Sequence, residues 1–152
     1  MADVTSLSLA TSLAVIEERL DEPEPMCVVA VGVGPASDPS VDTWTQEEVV
    51  AEVGRRLRST LRSYDEIHEL PGGWFAVLLP TLAEADGLET RIGRLFELVA
   101  GRYPVAGVER PARVLLGASV RHPADTAASF LARVGAAIGQ ARANGGAVPV
   151  LR

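Results

Sequence analysis

The chain predicts an α+β fold, and three observations carry that prediction. Short apolar, β-branched runs alternate with longer stretches whose apolar residues recur at helical spacing. Between two of the short runs stands Pro71-Gly72-Gly73, a tight-turn sequence that makes the pair a β-hairpin. The elements then read in the order α-β-α-β-β-α-β-α-β, with no internal repeat and no low-complexity linker.

Composition narrows the class. The 152 residues are 47% hydrophobic and 22% charged, enough to bury the core of one domain spanning 1–152. The formal net charge of -6 disfavours nucleic acid and anionic membrane as partners. Cys27 is the sole cysteine, so no intrachain disulfide forms, and its apolar surroundings read as core. His68 and His122 with Cys27 are too few for a zinc site. There is no apolar run of about eighteen residues and no signal-peptide pattern, so a cytoplasmic location is expected.

Residues 5–20 read as an amphipathic lead helix with the stripe Leu9, Leu13, Ile16 and Leu20. Asp21-Glu22-Pro23-Glu24-Pro25 stops it. Met26 to Val33 is a buried strand by its β-branched content. Gly32-Val33-Gly34 follows without the third glycine, lysine or helix of a phosphate loop. Thr45-x-x-Glu48 has the form of a capping box, opening a helix with Val49, Val50, Val53, Leu57 and Leu61 on its apolar face. Arg55, Arg56, Arg58 and Arg62 gather toward its C-terminal end, where cations suit the helix dipole.

Asp65–Leu70 and Phe75–Leu79 form the hairpin strands. Thr81-x-x-Glu84 is a second capping box, and its helix runs to about Gly101 with Leu88, Ile92, Leu95, Leu98 and Val99 inward. Residues 102–111 read as loop and Arg113–Val120 as a strand. Asp125 or Thr126 caps a last helix to about Asn144, ended by Gly145-Gly146, and Ala147–Leu151 is a terminal strand.

The hairpin resembles the signature of GGDEF domains, the diguanylate cyclases, where the text runs R-x-G-G-D-E-F-A-V-L-L-P. Aligned on Phe75 and the run to Pro80, Pro71-Gly72-Gly73-Trp74-Phe75 stands in place of the five signature letters, and the acidic pair is gone. Residues 47–57 resemble the family's G-D-x-L-L-x-x-V-A-x-R-L, with Glu47 where an Asp contacts guanine. Residues 136–145 resemble A-A-L-Y-x-A-K-x-x-G, with Gly139 for the tyrosine and Arg142 for a phosphate-contacting lysine. The strand at 113–120 keeps the family glycine as Gly117. The resemblance implies a nucleotidyl-cyclase-like fold: a central antiparallel sheet of ferredoxin-like order covered by helices.

It also implies what has been lost. The family's magnesium carboxylates fall at Gly32 and Trp74, and the remaining acidic letter at Gly73. Magnesium takes oxygen ligands. None of these side chains supplies one, so no metal, no cofactor, no catalysis and hence a non-enzyme are expected. The family's inhibitory product site is written R-x-x-D, five residues before the signature. Arg62-Ser63-Tyr64-Asp65 meets that offset. There Arg62 would pair with guanine O6 and N7, Asp65 would accept from the Watson–Crick edge, and Arg91 or Arg94 would add a cation from the following helix. An ion pair or local cap at a helix-to-strand turn accounts for Arg62 and Asp65 equally well.

The expected function is therefore a catalytically inactive receptor for cyclic di-GMP that signals through a protein partner. The alternative is a nucleotide-independent interaction or dimerisation module. In the family the hairpin tip faces a second protomer, so Trp74 is the interface candidate, expected to be exposed and available to a partner or a second copy.

Overall fold

The computed structural model describes residues 4–35, 46–80 and 87–152. Its elements are α1 (Val4–Ala14), β1 (Met26–Pro35), α2 (Gln46–Arg58), β2 (Glu66–Leu70), β3 (Trp74–Pro80), α3 (Leu88–Val99), β4 (Arg102–Val105), β5 (Val108–Val120), α4 (Ala127–Ala143) and β6 (Val150–Leu151). The sheet order is β2-β3-β1-β5-β4, antiparallel at every junction, and β6 joins β5 in parallel. β1, β2, β3 and β5 with α2 and α3 reproduce the ferredoxin-like order, so the α+β expectation holds.

β1 is central because its apolar run can be buried on both faces. Alternation sends Cys27, Val29, Val31 and Val33 to one side, against Val49, Val53 and Leu57 of α2 and Ile92, Leu95 and Val99 of α3. Met26, Val28 and Ala30 go to the other. There Leu9 and Leu13 of α1 and Phe130, Val134 and Ile138 of α4 cover them. Each such large side chain contributes about 1.5–3 kcal/mol on burial. α4 lies so close to β5 that an added Cβ on Gly117 would come within 2.6 Å of the Ile138 backbone nitrogen.

Some boundaries differ from expectation. The lead helix stops at Ala14, where Val15 and Ile16 bond back three residues, and a 3-10 turn at Glu18–Leu20 continues the apolar stripe. Residues 102–111, expected as loop, contain β4 and the start of β5. Their two-residue turn is Ala106-Gly107, both at positive φ (53° and 78°). Alanine is an uncommon choice there and hides the hairpin from a sequence reading. The helix 127–143 is capped by Thr126, whose hydroxyl accepts from Ser129 N–H while Ser129 returns the bond. Asp125 is committed elsewhere, to Arg133. Thr45, Thr81 and Glu84 lie outside the described residues. No described helix is long and apolar enough to cross a membrane.

Candidate functional site

α2 ends at Arg58, and the chain turns through residues 59–65 into β2. Asp65 closes that turn. Its backbone N–H donates to the Arg62 carbonyl at 3.0 Å, and its carboxylate Oδ2 accepts from the Arg62 backbone N–H at 2.8 Å. The same Oδ2 accepts from Arg91 Nη2 at 2.6 Å. Arg91 Nη2 also donates to the Thr60 carbonyl at 3.2 Å. The pair is buried: the side chains of Arg91 and Asp65 are 4% and 0% exposed. Asp65 Oδ1 is buried without a hydrogen-bond partner among the described residues.

Of the four residues expected at a ligand site, Asp65 meets two: the backbone N–H of Arg62, three positions away, and the guanidinium of Arg91, 26 positions away. Their orientations differ from expectation. Asp65 faces inward to Arg91 rather than outward. Arg62 is exposed, donates from Nη1 to the Tyr64 hydroxyl at 2.9 Å, and has its guanidinium 5.9 Å from the Tyr64 ring centroid. Arg94 is exposed, one helical turn beyond Arg91.

Tyr64 fills a variable place in the R-x-x-D pattern, so the pattern gives it no role. It is 46% exposed, and an aromatic ring in a polar turn was the signal available. It walls a 150 Å³ cavity with Pro25, Met26, Leu78 and Pro80. Arg19 borders that cavity, gripping Glu66 with Nε at 3.0 and 3.1 Å and with Nη2, and meeting Glu24 at 2.7 Å. The Arg19 hydrogen bonds hold the Glu66 carboxyl below the usual range, with a smaller contribution from His68.

The second region is the hairpin tip. Pro71–Gly73 turns the chain with Gly72 and Gly73 in the left-handed region, at φ 82° and 83°. Ser12 Oγ of α1 donates to the Pro71 carbonyl at 2.6 Å and draws the tip onto the lead helix. The expectation that Trp74 is exposed for a partner is therefore corrected. Trp74 is 6% exposed and packs with Leu9, Leu13, Leu70 and Ala76 on the α1–α4 face. Its ring covers Gly32, where an ideal Cβ would fall 2.5 Å from Trp74 Cζ3.

That packing decides whether a magnesium ion fits here. Gly32, Gly73 and Trp74 offer no side-chain oxygen, and the indole occupies the space above Gly32. Among the described residues no three His, Cys, Asp or Glu side chains converge to hold a metal. The residues do not fit the ion at this place. Glu47 is exposed in the first turn of α2, and Arg142 is half-buried in the last turn of α4.

No protein-family model and no curated protein matches the sequence. The fold is shared with solved GGDEF domains. The GGDEF domain of TpbB (YfiN) from Pseudomonas aeruginosa is 21% identical with a TM-score of 0.67, covering 99% of this chain and 87% of that one. The GGDEF domain of DgcB from Caulobacter crescentus, solved in complex with c-di-GMP, is 17% identical with a TM-score of 0.64, over 96% and 85%. Diguanylate cyclase SiaD from Pseudomonas aeruginosa, solved with its activator SiaC, is 19% identical with a TM-score of 0.62, over 98% of this chain and 56% of SiaD. These findings correct the expectation of a non-enzyme, since the fold is that of diguanylate cyclases, which are enzymes. Three missing carboxylates describe one ligand set and do not define what the fold can do.

Proposed function

We propose that residues 1–152 act as one GGDEF-fold signalling domain that binds cyclic di-GMP beside the Arg62–Asp65 turn and passes the signal to a protein partner inside the cell. The observation that carries this reading is the convergence of Arg62, Asp65 and Arg91 from two separate elements. Arg62 supplies a planar fork for guanine O6 and N7, and Arg94 supplies an exposed cation for a phosphate. Asp65 and Arg91 are buried beneath that surface and hold the turn in place. Two similar structures lend further support, one holding c-di-GMP and one holding a protein activator.

Calorimetric titration with cyclic di-GMP tests the reading, with GTP as a control. Arg62→Ala is expected to weaken binding by about ten-fold to a hundred-fold or more, since a bidentate arginine–guanine pair contributes about 1–3 kcal/mol. Arg62→Lys is expected not to restore it, because lysine lacks the fork. Glu47→Ala is expected to leave affinity unchanged. Binding that ignored Arg62 and Asp65 but vanished with Glu47 or Arg142 would move the ligand to the place of the family's active site. No binding at high micromolar concentration would leave Arg62 and Asp65 as a structural turn.

A further inference from the structure

Tyr64 is the one large aromatic that the turn presents to solvent, at 46% exposure. Nothing in the core explains it, because the hydrophobic clusters on both faces of the sheet are built without it. Two contacts fix its position instead. Its hydroxyl accepts from Arg62 Nη1 at 2.9 Å, and its ring walls the 150 Å³ cavity that Met26, Leu78 and the prolines at 25 and 80 line together with the ion-paired Arg19, Glu24 and Glu66. The backbone beneath it is held by Asp65, which caps Arg62 N–H and is itself clamped to buried Arg91. An exposed ring on a hydrogen-bonded turn, beside a cavity of mixed lining and an arginine fork, has the chemistry of a stacking platform for a planar heterocycle. Base–aromatic stacking is tolerant of which base is present, so discrimination falls to the adjacent fork.

We propose that Tyr64 contacts the ligand directly, stacking on a guanine base of the cyclic dinucleotide while Arg62 reads that base's edge. The inference rests on the reading of this turn as the cyclic di-GMP site, and it adds a contact residue that the R-x-x-D pattern does not contain. Asp65, turned inward, contributes through the backbone it holds rather than by touching the base.

The test is calorimetric titration of the full chain with cyclic di-GMP, and with cyclic di-AMP for comparison, on the parent, Tyr64→Phe, Tyr64→Leu and Tyr64→Ala. Thermal unfolding of each variant is followed in parallel. Tyr64→Phe keeps the π face and is expected to bind within a few-fold of the parent. Tyr64→Leu keeps bulk without the face, and it and Tyr64→Ala are expected to weaken binding roughly ten-fold to a hundred-fold. All three are expected to melt close to the parent, since the ring is exposed. A parent that binds cyclic di-GMP while Tyr64→Leu binds equally well would overturn the stacking role and leave the site itself standing. Tyr64→Phe falling as far as Tyr64→Ala would overturn it too, giving the role to the hydroxyl. A parent that binds neither dinucleotide overturns the site and this inference with it.

Discussion

Gly32 and Trp74 are steric complements. The indole of Trp74 lies where a side chain at position 32 would begin, with three ring carbons within 2.5–2.8 Å of an ideal Cβ. Gly32 is paired with Leu115 of β5 and Trp74 with Leu70 of β2, so neither residue can retreat without disturbing the strand pairing. The pair has the consequences of a well-packed core, where added volume is resisted and removed volume leaves a void.

Gly32→Ala is expected to destabilise the protein by about 1–3 kcal/mol, the range for overpacking a core. Trp74→Ala is expected to cost about 3–5 kcal/mol. In the Trp74→Ala background the penalty at position 32 should largely disappear, because the ring it met is gone. Denaturant unfolding of the two single variants and the double variant measures this coupling. Strict additivity would show that the two side chains do not compete for the same space.

The Asp65–Arg91 pair gives a second expectation. Removing one partner of a buried ion pair leaves an uncompensated charge and is expected to cost about 3–5 kcal/mol. Arg91→Met strands the Asp65 carboxylate and should fall in that range. Asp65→Asn keeps an acceptor for Arg62 N–H and isolates the effect of charge. Chemical denaturation checks both. A loss below 1 kcal/mol for Arg91→Met would mean that water reaches the pair.

Asp125 sets an expected pH dependence. Arg133 holds it with two charge-assisted hydrogen bonds, joined by His122 N–H and the Ser129 hydroxyl, and these push its carboxyl well below the ordinary range. A depressed folded pKa stabilises the fold above the unfolded value of about 4 and loses that effect as pH falls through the folded value. Asp125→Asn should therefore melt below the parent at pH 7, with the two curves converging as the buffer approaches pH 2. A gap that stayed constant across that range would assign the loss to packing rather than charge.

Ala106 offers a stabilising change. It sits at φ 53° in the β4–β5 turn, and its N–H donates to Glu48 Oε2 at 2.8 Å. The left-handed region costs an alanine about 1–2 kcal/mol. Glycine and asparagine enter it readily and keep the backbone N–H. Ala106→Gly or Ala106→Asn is expected to raise stability by about 1 kcal/mol. A decrease in melting temperature for both would show that the alanine methyl is making contacts worth keeping.

The sequence by itself determined which segments are helix and strand around the Pro71 hairpin, and the ferredoxin-like order of the central strands is what the resemblance to GGDEF domains implied. Periodicity in Leu9, Leu13, Ile16 and Leu20, the β-branched run of β1 and the glycine pair after Pro71 are local signals, set by backbone sterics and by which face must leave water. Arg62 and Asp65 were picked out by the resemblance to the R-x-x-D site of GGDEF domains, with Arg91 or Arg94 as the cation from the following helix. Tertiary structure alone decided which way those side chains turn. Asp65 faces Arg91 because a buried guanidinium requires a partner, and no spacing rule reports that demand. The burial of Trp74 likewise depended on α1 reaching back through Ser12 to the Pro71 carbonyl, 59 positions away in sequence. The β4–β5 hairpin stayed hidden for the opposite reason: its turn is held by Glu48 of α2, a long-range bond that lets an alanine stand where local chemistry favours asparagine or glycine. Local preference sets what each segment can form, and contacts between distant segments select which face of it meets water.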